Sequence, residues 1–450
     1  MANVIKLRKG LDINLKGKAK EEKKVFSMCS HYALIPSDFV GITPKIIVRE
    51  NDNVKVGDTI FIDKNNPELC FTSPISGRIL DIVRGERRKV LAIKIEAEQQ
   101  QEFVDFGKKD VENLSAAEIV ETLLQSGLFG YINQLPYAVV ANPNDTPKAI
   151  FISAFRNMPL AGKFEYELKG NENVFQVGLT VLSKLAKTYL NIHCSQKSPS
   201  LVNAKHVTIS IFDGPCPSGN VGVQINHISP INKGEIVWTI EPTTVIFIGR
   251  LFSTGRLNLT RTVAIAGSEI KNPSYVDTIV GTPLKDILKD KLKKTEHIRI
   301  INGNPLTGRK CTLDDYLGAH TSEICVIPEG DDVNEMVGWL LPRMNQFSFS
   351  RSYFSWLLEK RKIYDMDSRL KGGVRHMIMS GEYDRVLPMD IYGEYLIKAI
   401  LAGDIDKQEQ LGIYEISPED FAVAEFIDSS KLELQKIVRS GLDILRKENA

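Results

Sequence analysis

Turn-forming residues interrupt the chain at short intervals between Thr43 and Glu98 and limit each strand or helix there to a few residues. They cluster in five places: Asn51-Asp52-Asn53, Gly57-Asp58, Asn65-Asn66-Pro67, Ser76-Gly77 and Arg84-Gly85. Apolar residues alternate between the turns, as in KVLAIKIEA, which predicts one buried face formed by Leu91, Ile93 and Ile95. Short strands at this spacing predict a small β-sandwich or barrel.

Within this β region, CFTSPISGRI (70–79) is typical of domains that carry a lipoylated or biotinylated lysine on a hairpin tip. Lys64 is the candidate, but ten residues separate it from Pro74, more than lipoyl domains have, and Asn65-Asn66-Pro67 reshapes the tip. We therefore expect no lipoyl or biotinyl group on Lys64. A modified Lys64 is the alternative, and an increased mass of the purified protein would reveal it.

The following segment alternates helical and strand patterns. Ser115 and Glu118 predict a capping box at the start of a helix, and AIFISAF (149–155) and HVTISIFDG (206–214) predict strands. A second helix is indicated by apolar residues at helical spacing: Val174, Val177, Val181 and Leu185. IVWTIEPTTVIFIG (236–249) is interpreted as two buried strands. This order predicts an α/β layer with partly parallel pairing.

The last two segments differ from each other. VAIAG, TPLKDILKDKL and HIRIING predict a small α+β unit, whereas the helical signal strengthens after Asp331. The final predicted helix has an apolar stripe: Leu434, Val438, Leu442 and Leu445. Packing of this stripe against the body of the protein is the default interpretation, and docking on a partner is the alternative.

Composition excludes several functions. The 450 residues carry a formal charge of +1, so no global field attracts nucleic acid. The six cysteines form no C-x-x-C pair, which favours a reducing compartment, and the seven histidines show no metal-ligand spacing. No apolar run approaches the ~18 residues of a membrane span. We expect no metal site, catalytic constellation or transmembrane segment.

Two glycine-containing motifs resemble phosphate-binding loops. GPCPSGNVG (214–222) has the glycine spacing of a P-loop, but Asn220 and Val221 occupy the Lys-Ser/Thr positions. GNPLTGRK (303–310) also lacks the hydroxyl that would hold magnesium. Both motifs are predicted to be turns, so nucleotide hydrolysis is not expected.

Several stretches carry a resemblance that runs nearly the whole length of the chain: IKLRKGLDINLKG (5–17), DKNNPELCFTSPISGRILDIVRGERR (63–88), GPCPSGNVG (214–222), IGRLFSTGRL (248–257) and GEYDRVLPMDI (381–391). In this order they resemble the A-type subunits of bacterial sodium-translocating NADH:quinone oxidoreductases (Na⁺-NQR). The resemblance implies a multidomain α/β and α+β chain: a biotinyl/lipoyl-carrier-like β-sandwich (1–100), a Rossmann-like α/β domain (101–256), a β-grasp, SLBB-like domain (257–330) and a helical C-terminal domain (331–450).

The resemblance also implies a role. Such a chain is a peripheral subunit on the cytoplasmic face of the bacterial inner membrane, with five other subunits as partners, some of them embedded in the membrane. The complex oxidises NADH, reduces quinone and exports sodium, and its redox cofactors belong to other subunits. Candidate quinone-binding residues lie in two glycine- and arginine-containing loops: Gly214, Gly219, Gly222, Arg250 and Arg256. The alternative is a purely structural subunit, with quinone bound by membrane subunits.

The chain departs from the family pattern at several positions. Cys216, Gln224 and Asn226 stand where members often have histidines, and Ala424 and Asp428 stand where they often have cysteines. These departures argue against a metal or redox centre on the protein itself.

Overall fold

The computed structural model describes residues 4–25, 28–333, 343–357 and 362–449. The chain begins with two short strands, β1 (Val4–Lys6) and β2 (Lys23–Val25), which join sheets formed much later in the sequence.

The predicted β-sandwich is confirmed, and it consists of two antiparallel sheets. One sheet contains β3 (His31–Leu34), β5 (Asn53–Val54), β8 (Gly77–Arg84) and β9 (Val90–Ala97); the other contains β4 (Pro44–Ile46), β6 (Thr59–Asp63) and β7 (Cys70–Thr72). Phe61 of β6 and Phe71 of β7 are cross-strand partners, and their rings stack with centroids 4.5 Å apart. Ile93 and Ile95 are buried as predicted, but Leu91 is exposed. A bulge between β8 and β9 at this point shifts the register and turns Leu91 outward.

The α/β domain contains a single sheet, called the second sheet because it follows the sandwich. It has seven strands in the order β1-β14-β13-β12-β15-β10-β11. Its remaining strands are β10 (Ile132–Leu135), β11 (Val139–Val140), β12 (Ala149–Ser153), β13 (Thr188–His193), β14 (Thr208–Asp213) and β15 (Val237–Ile240). Strands β1, β14, β13, β12 and β15 are parallel, and β10 and β11 extend the sheet antiparallel. Both faces of β12 are buried, since Ile150 and Ile152 pack on one side and Phe151 on the other.

Helices accompany this sheet: α1 (Ala116–Gln125), α2 (Phe164–Glu167), α3 (Glu172–Ser183), α4 (Pro199–Val202), α5 (Val221–Ile228) and α6 (Pro242–Thr254). The capping box of Ser115 and Glu118 is confirmed. The stripe predicted for α3 is only partly right, because Val181 is buried but Val174, Val177 and Leu185 are only half-buried. Phe175, Leu179 and Leu182 are the other large buried side chains of this face.

The prediction of two strands in 236–249 is wrong in its second half. Val237–Ile240 is a strand, but Pro242 begins α6, whose side chains are buried nearly all round. Proline fits the first turn of a helix, where its missing N–H has no intrahelical partner.

The predicted α+β unit has its own sheet, called the third sheet because it follows that of the α/β domain. It contains β2 and the strands of the unit in the order β19-β18-β20-β16-β17-β2. These strands are β16 (Thr260–Ala266), β17 (Ser274–Ile279), β18 (Ile298–Asn302), β19 (Arg309–Cys311) and β20 (Glu323–Pro328). Helix α7 (Leu284–Leu288) packs on one face through Leu284, Ile287 and Leu288. This arrangement confirms the predicted β-grasp-like unit.

The C-terminal helices are α8 (Tyr383–Val386), α9 (Gly393–Ala402), α10 (Ile405–Gln410), α11 (Ala422–Ile427) and α12 (Leu434–Glu448). Part of the helical prediction after Asp331 lies outside the described residues, at 334–342 and 358–361. The stripe on α12 is buried within the C-terminal core, which confirms the packing interpretation. Within the described ranges, no helix combines the length and apolar character needed to cross a bilayer.

Residues 4–25 tie two domains together. β1 pairs with β14, where Val4 lies opposite Ile211, and β2 pairs with β17, where Lys24 lies opposite Val276. The predicted boundaries at residues 100, 256 and 330 remain predictions, because these sheets draw strands from both sides of them.

Candidate functional site

A cleft of about 400 Å³ lies at the carboxyl ends of β12 and β15. The chain runs from β12 to β13 and β14 on one side of the sheet and then returns to β15 on the other side of β12, so this edge is a topological switch point. Ligands of open α/β sheets bind in such a crevice. The third sheet and the C-terminal helices complete the walls, contributing Asn302, His320 and Glu419.

Side chains that follow β12 hold the loop that contains GPCPSGNVG. Ser153 Oγ donates to the carbonyl of Gly219 at 2.8 Å. Asn157 Oδ1 accepts from the Gly219 N–H at 3.0 Å, and Asn157 Nδ2 donates to Ser218 Oγ at 2.8 Å. Gln224 Nε2 in turn donates to Ser153 Oγ at 2.8 Å. The loop is thus fixed by a continuous amide and hydroxyl network at one end of the cleft.

The three glycines predicted to bind quinone permit close contacts of this loop. A Cβ on Gly214 would lie 2.7 Å from Leu7 Cβ, and one on Gly219 would lie 2.8 Å from Asn157 Oδ1. At Gly222, in the first turn of α5, a Cβ would collide with the carboxylate of Asp420. Of the three, Gly219 lines the cleft.

Asp420 comes from a 3₁₀ turn at residues 418–421, which a capping box with Ser417 begins. Its carboxylate accepts from the Ser417 N–H and Oγ, both at 2.8 Å, and from Asn220 Nδ2 at 3.2 Å. An anion at a helix N-terminus is stabilised by the helix dipole. The carboxyl group of Asp420 therefore lies against the first turn of α5, and burial raises its pKa.

Two arginines and several carboxylates surround the inner end of the cleft. Arg156 Nη1 lies 2.8 Å from Glu167 Oε1, and the Glu167 side chain is only 2% exposed. Burial alone would lower the pKa of Arg156, but Glu167, Glu323 and Glu241 outweigh it and raise that pKa. Arg261 is also buried, 3.7 Å from Glu241 Oε2. These ion pairs connect α2, α6 and the third sheet, and their positive and negative charges balance each other within the protein.

The lining itself is rich in acids. Glu241, Glu323 and Glu419 line the cleft, against Arg156 and His320. Burial, together with the neighbouring Asp420 and Glu241, raises the pKa of Glu419 to about 8. Glu419 is therefore largely protonated at neutral pH and presents a neutral hydrogen-bonding carboxyl group.

The structure does not bring the two predicted arginines to this cleft. Arg250 lies on α6, where Nη1 donates to the Thr260 carbonyl at 2.5 Å and Nη2 donates to Asn171 Oδ1 at 2.8 Å. Arg256 is exposed after the end of α6, with its guanidinium 5.6 Å from the ring centroid of Phe103. Neither side chain is among the residues that line the cleft.

The second glycine motif does reach the cleft. Residues 303–308 form the connection between β18 and β19, and Gly303, Asn304 and Gly308 line the cleft wall. Lys310 points to Glu329, with Nζ 2.8 Å from Oε1. Local sequence patterns do not indicate the wall residues Asn304, His320 and Glu419, because these residues come together only through the packing of three domains.

The positions that depart from the family pattern serve packing and hydrogen bonding. Cys216 is buried with Sγ 3.4 Å from Met158 Sδ, and Asn226 Nδ2 donates to Glu415 Oε2 at 2.6 Å. Ala424 is buried in the C-terminal core, while Asp428 accepts from the N–H groups of Ser430 and Leu432.

Lys64 is exposed in the loop between β6 and β7. This loop is not free: Lys64 N donates to the Thr43 carbonyl at 2.8 Å, and Asn66 Nδ2 donates to Asn142 Oδ1 of the α/β domain at 3.3 Å. The hairpin tip is thus docked on the neighbouring domain.

Fold and site together define a class of multidomain α/β protein that contains a carrier-type sandwich, and in which a doubly wound sheet, a β-grasp-like unit and the C-terminal helices meet at one acid-lined cleft. Three family profiles match this chain: the NqrA N-terminal barrel-sandwich hybrid domain (5–98), the NqrA second alpha/beta domain (114–257) and the NQRA C-terminal domain (262–312). The chain belongs to the NqrA family of Na⁺-translocating NADH-quinone reductase subunits.

Full-length relatives support this membership. The NqrA subunits of the Na⁺-translocating NADH-quinone reductases of Pasteurella multocida (strain Pm70) and of Neisseria meningitidis serogroup B are each 34% identical, over 99% of this chain and 100% of the relative. Among solved structures, an NAD⁺-reducing [NiFe]-hydrogenase in the H₂-reduced state matches 48% of this chain and 50% of its own, at 12% identity and a TM-score of 0.36, which is too low to support an argument.

Proposed function

We propose that this protein contributes to the reduction of quinone to quinol, coupled to sodium export, without a bound redox cofactor of its own. The observation that carries this proposal is the switch-point cleft, where a ligand of an α/β sheet is expected but the first turn of α5 is covered by the Asp420 side chain. NADH and flavin chemistry then belong to other subunits of the complex.

The charge of the cleft supports this proposal. Nucleotides bring phosphate groups, and the carboxyl groups of Glu241 and Glu323 make the lining less favourable for them. A quinone ring is neutral and needs hydrogen-bond donors for its two carbonyl oxygens beside apolar surface. The cleft offers both kinds of contact.

His320 is the donor best placed for a carbonyl oxygen. Its ring packs against Tyr131 at 5.3 Å and Phe39 at 5.7 Å between centroids. Its Nδ1 lies 3.8 Å from Glu241 Oε1, and the side chain is 22% exposed. Held this way, the imidazole presents a polar edge at the wall of the cleft.

The test is quinone affinity of the full chain with a short-tailed quinone. His320→Leu, which removes the donor, is expected to weaken binding at least tenfold, and His320→Gln, which keeps one, is expected to weaken it less. Arg256→Ala, outside the cleft, is the matched control and is expected to bind normally. Equal affinity in all four proteins would reject the cleft as the quinone site.

The rival proposal is a docking role, with quinone bound by membrane-embedded partners at the cytoplasmic face. It is favoured by exposed apolar side chains concentrated between 354 and 379: Phe354, Trp356, Leu357, Ile363, Leu370, Val374, Ile378 and Met379. Such surface commonly marks a protein or membrane contact. Photo-crosslinking of a quinone analogue in the intact complex separates the two, since absence of label on this chain would favour the rival.

A further inference from the structure

Three side chains with metal-binding atoms meet at the ends of two neighbouring strands. β13 and β14 are parallel, with His193 opposite Phe212, and the Cys194 N–H donates to the Phe212 carbonyl at 2.9 Å. Cys194 therefore lies beside Asp213. One ligand atom each of His193, Cys194 and Asp213 falls within 4.8 Å of the other two.

The ligand chemistry is that of a zinc site. Zn²⁺ binds imidazole nitrogen, thiolate sulfur and carboxylate oxygen together, at about 2.0–2.3 Å. Tetrahedral ligands at these distances are roughly 3.5 Å apart, so binding requires a contraction of about 1 Å. Cys194 is exposed and can supply this by side-chain rotation.

The surroundings keep the three groups in position. His193 Nδ1 contacts Ser195 Oγ at 2.7 Å, and the ring packs against Phe155 with centroids 5.3 Å apart. Asp213 is held by β1, since the Leu7 N–H donates to the Asp213 carbonyl at 2.8 Å. Such second contacts orient metal ligands in zinc sites.

The position is also accessible. Of the three ligands, His193 lines a cavity of about 1020 Å³ whose wall also includes residues 12–15, and Cys194 is exposed. Lys6 is the charged neighbour from β1, and its exposed side chain can turn away into solvent. Three protein ligands and an accessible fourth position match the open type of zinc site.

We propose that His193, Cys194 and Asp213 bind a divalent zinc-type ion, with water as the fourth ligand. The site is separate from the quinone cleft and does not depend on the function proposed above. Its ligands come from two strand ends that are distant in sequence, so no short motif announces it.

The experiment uses the full chain, stripped with a chelator and loaded with one equivalent of Co²⁺ or Zn²⁺. We expect a cobalt–thiolate charge-transfer band and one bound zinc per chain. Cys194→Ser is expected to lose the band and to weaken zinc binding at least tenfold, and Asp213→Asn to weaken it about tenfold. Cys70→Ser, the matched control, is expected to behave as the parent protein. Unfolding midpoints verify that each variant is folded.

Three outcomes would overturn the site. One is cobalt or zinc binding that is unchanged in Cys194→Ser. Another is zinc that is lost in His297→Ala instead, because it would then belong to the exposed cluster of His297, Asp331 and Asp332. The last is failure of the parent protein to bind zinc at all.

Discussion

The carboxylate of Asp420 lies where a side chain on Gly222 would project. The contact links the C-terminal domain to the first turn of α5. It gives Gly222 a structural role in a chain without the Lys-Ser/Thr pair, because the missing side chain leaves room for the buried carboxyl group of Asp420. The GPCPSGNVG motif thus forms a contact between the α/β domain and the C-terminal domain.

Gly222→Ala is therefore expected to destabilise the protein by about 2 kcal/mol, since the added methyl group must displace a buried, hydrogen-bonded carboxylate. The midpoint of thermal unfolding should fall by about 2 °C in a chain of this length. Gly373→Ala is the control, because no atom lies within 4 Å of its Cβ position. In an Asp420→Ala background the cost of Gly222→Ala should shrink, and full additivity would contradict this explanation.

The pKa of Glu419, raised to about 8 by burial and by Asp420 and Glu241, predicts a pH effect on stability. Unfolded glutamate titrates near 4.3, so between about pH 4.3 and 8 the folded chain holds a proton that the unfolded chain has released. The free energy of unfolding should fall as pH rises through this window.

Glu419→Gln should remove that contribution and be more stable than the parent at pH 8 by about 1–2 kcal/mol. Denaturation at pH 5, 6.5 and 8 measures it, with exposed Glu433→Gln as the control. Parallel pH profiles for the parent and Glu419→Gln would show that Glu419 titrates normally.

The buried pair of Arg156 and Glu167 gives a further prediction. Glu167→Gln leaves the arginine without its carboxylate partner and should cost about 3 kcal/mol. Glu433→Gln breaks the pair with Lys436, whose side chains are 72% and 75% exposed, and should cost less than about 0.5 kcal/mol. Similar losses of stability in the two variants would mean that the buried network contributes little.

Lys64 is expected to be unmodified, because its loop is docked through Asn66 on Asn142. The intact mass of the protein purified from its native complex should equal the sequence mass. Lys64→Arg should leave quinone reduction by the complex unchanged. A mass increment of a lipoyl or biotinyl group, lost in Lys64→Arg, would refute the first expectation, and a loss of quinone reduction in Lys64→Arg would refute the second.

Sequence patterns predicted elements well where one periodicity dominated. The alternation at Ile93 and Ile95 and the stripe of α12 each led to the correct buried face. They failed where two structures suit the same residues: the apolar β-branched run after Pro242 fits a buried strand as well as a buried helix. The prediction that Leu91 is buried was wrong because of a bulge, and a bulge depends on the register of two strands.

The candidate site was less predictable. The glycine motif points to Gly219, which lines the cleft. The prediction that Arg250 and Arg256 share a loop is wrong for Arg250, which lies on α6. His320 and Glu419 carry no local signature, since their proximity depends on how three domains pack. The spacing of residues in a sequence reveals metal ligands only when one loop supplies them. His193 and Asp213 come from the ends of two strands, so their spacing does not indicate the proposed metal site.

The placement of β1 has a consequence for biosynthesis. Val4 is synthesised before its partner Ile211, and Lys24 is synthesised before Val276. Strands β1 and β2 therefore have to stay unpaired until the residues of both later sheets have been made. The pairing of these two strands is thus a late step in folding, which joins two domains only after each of them has formed its sheet.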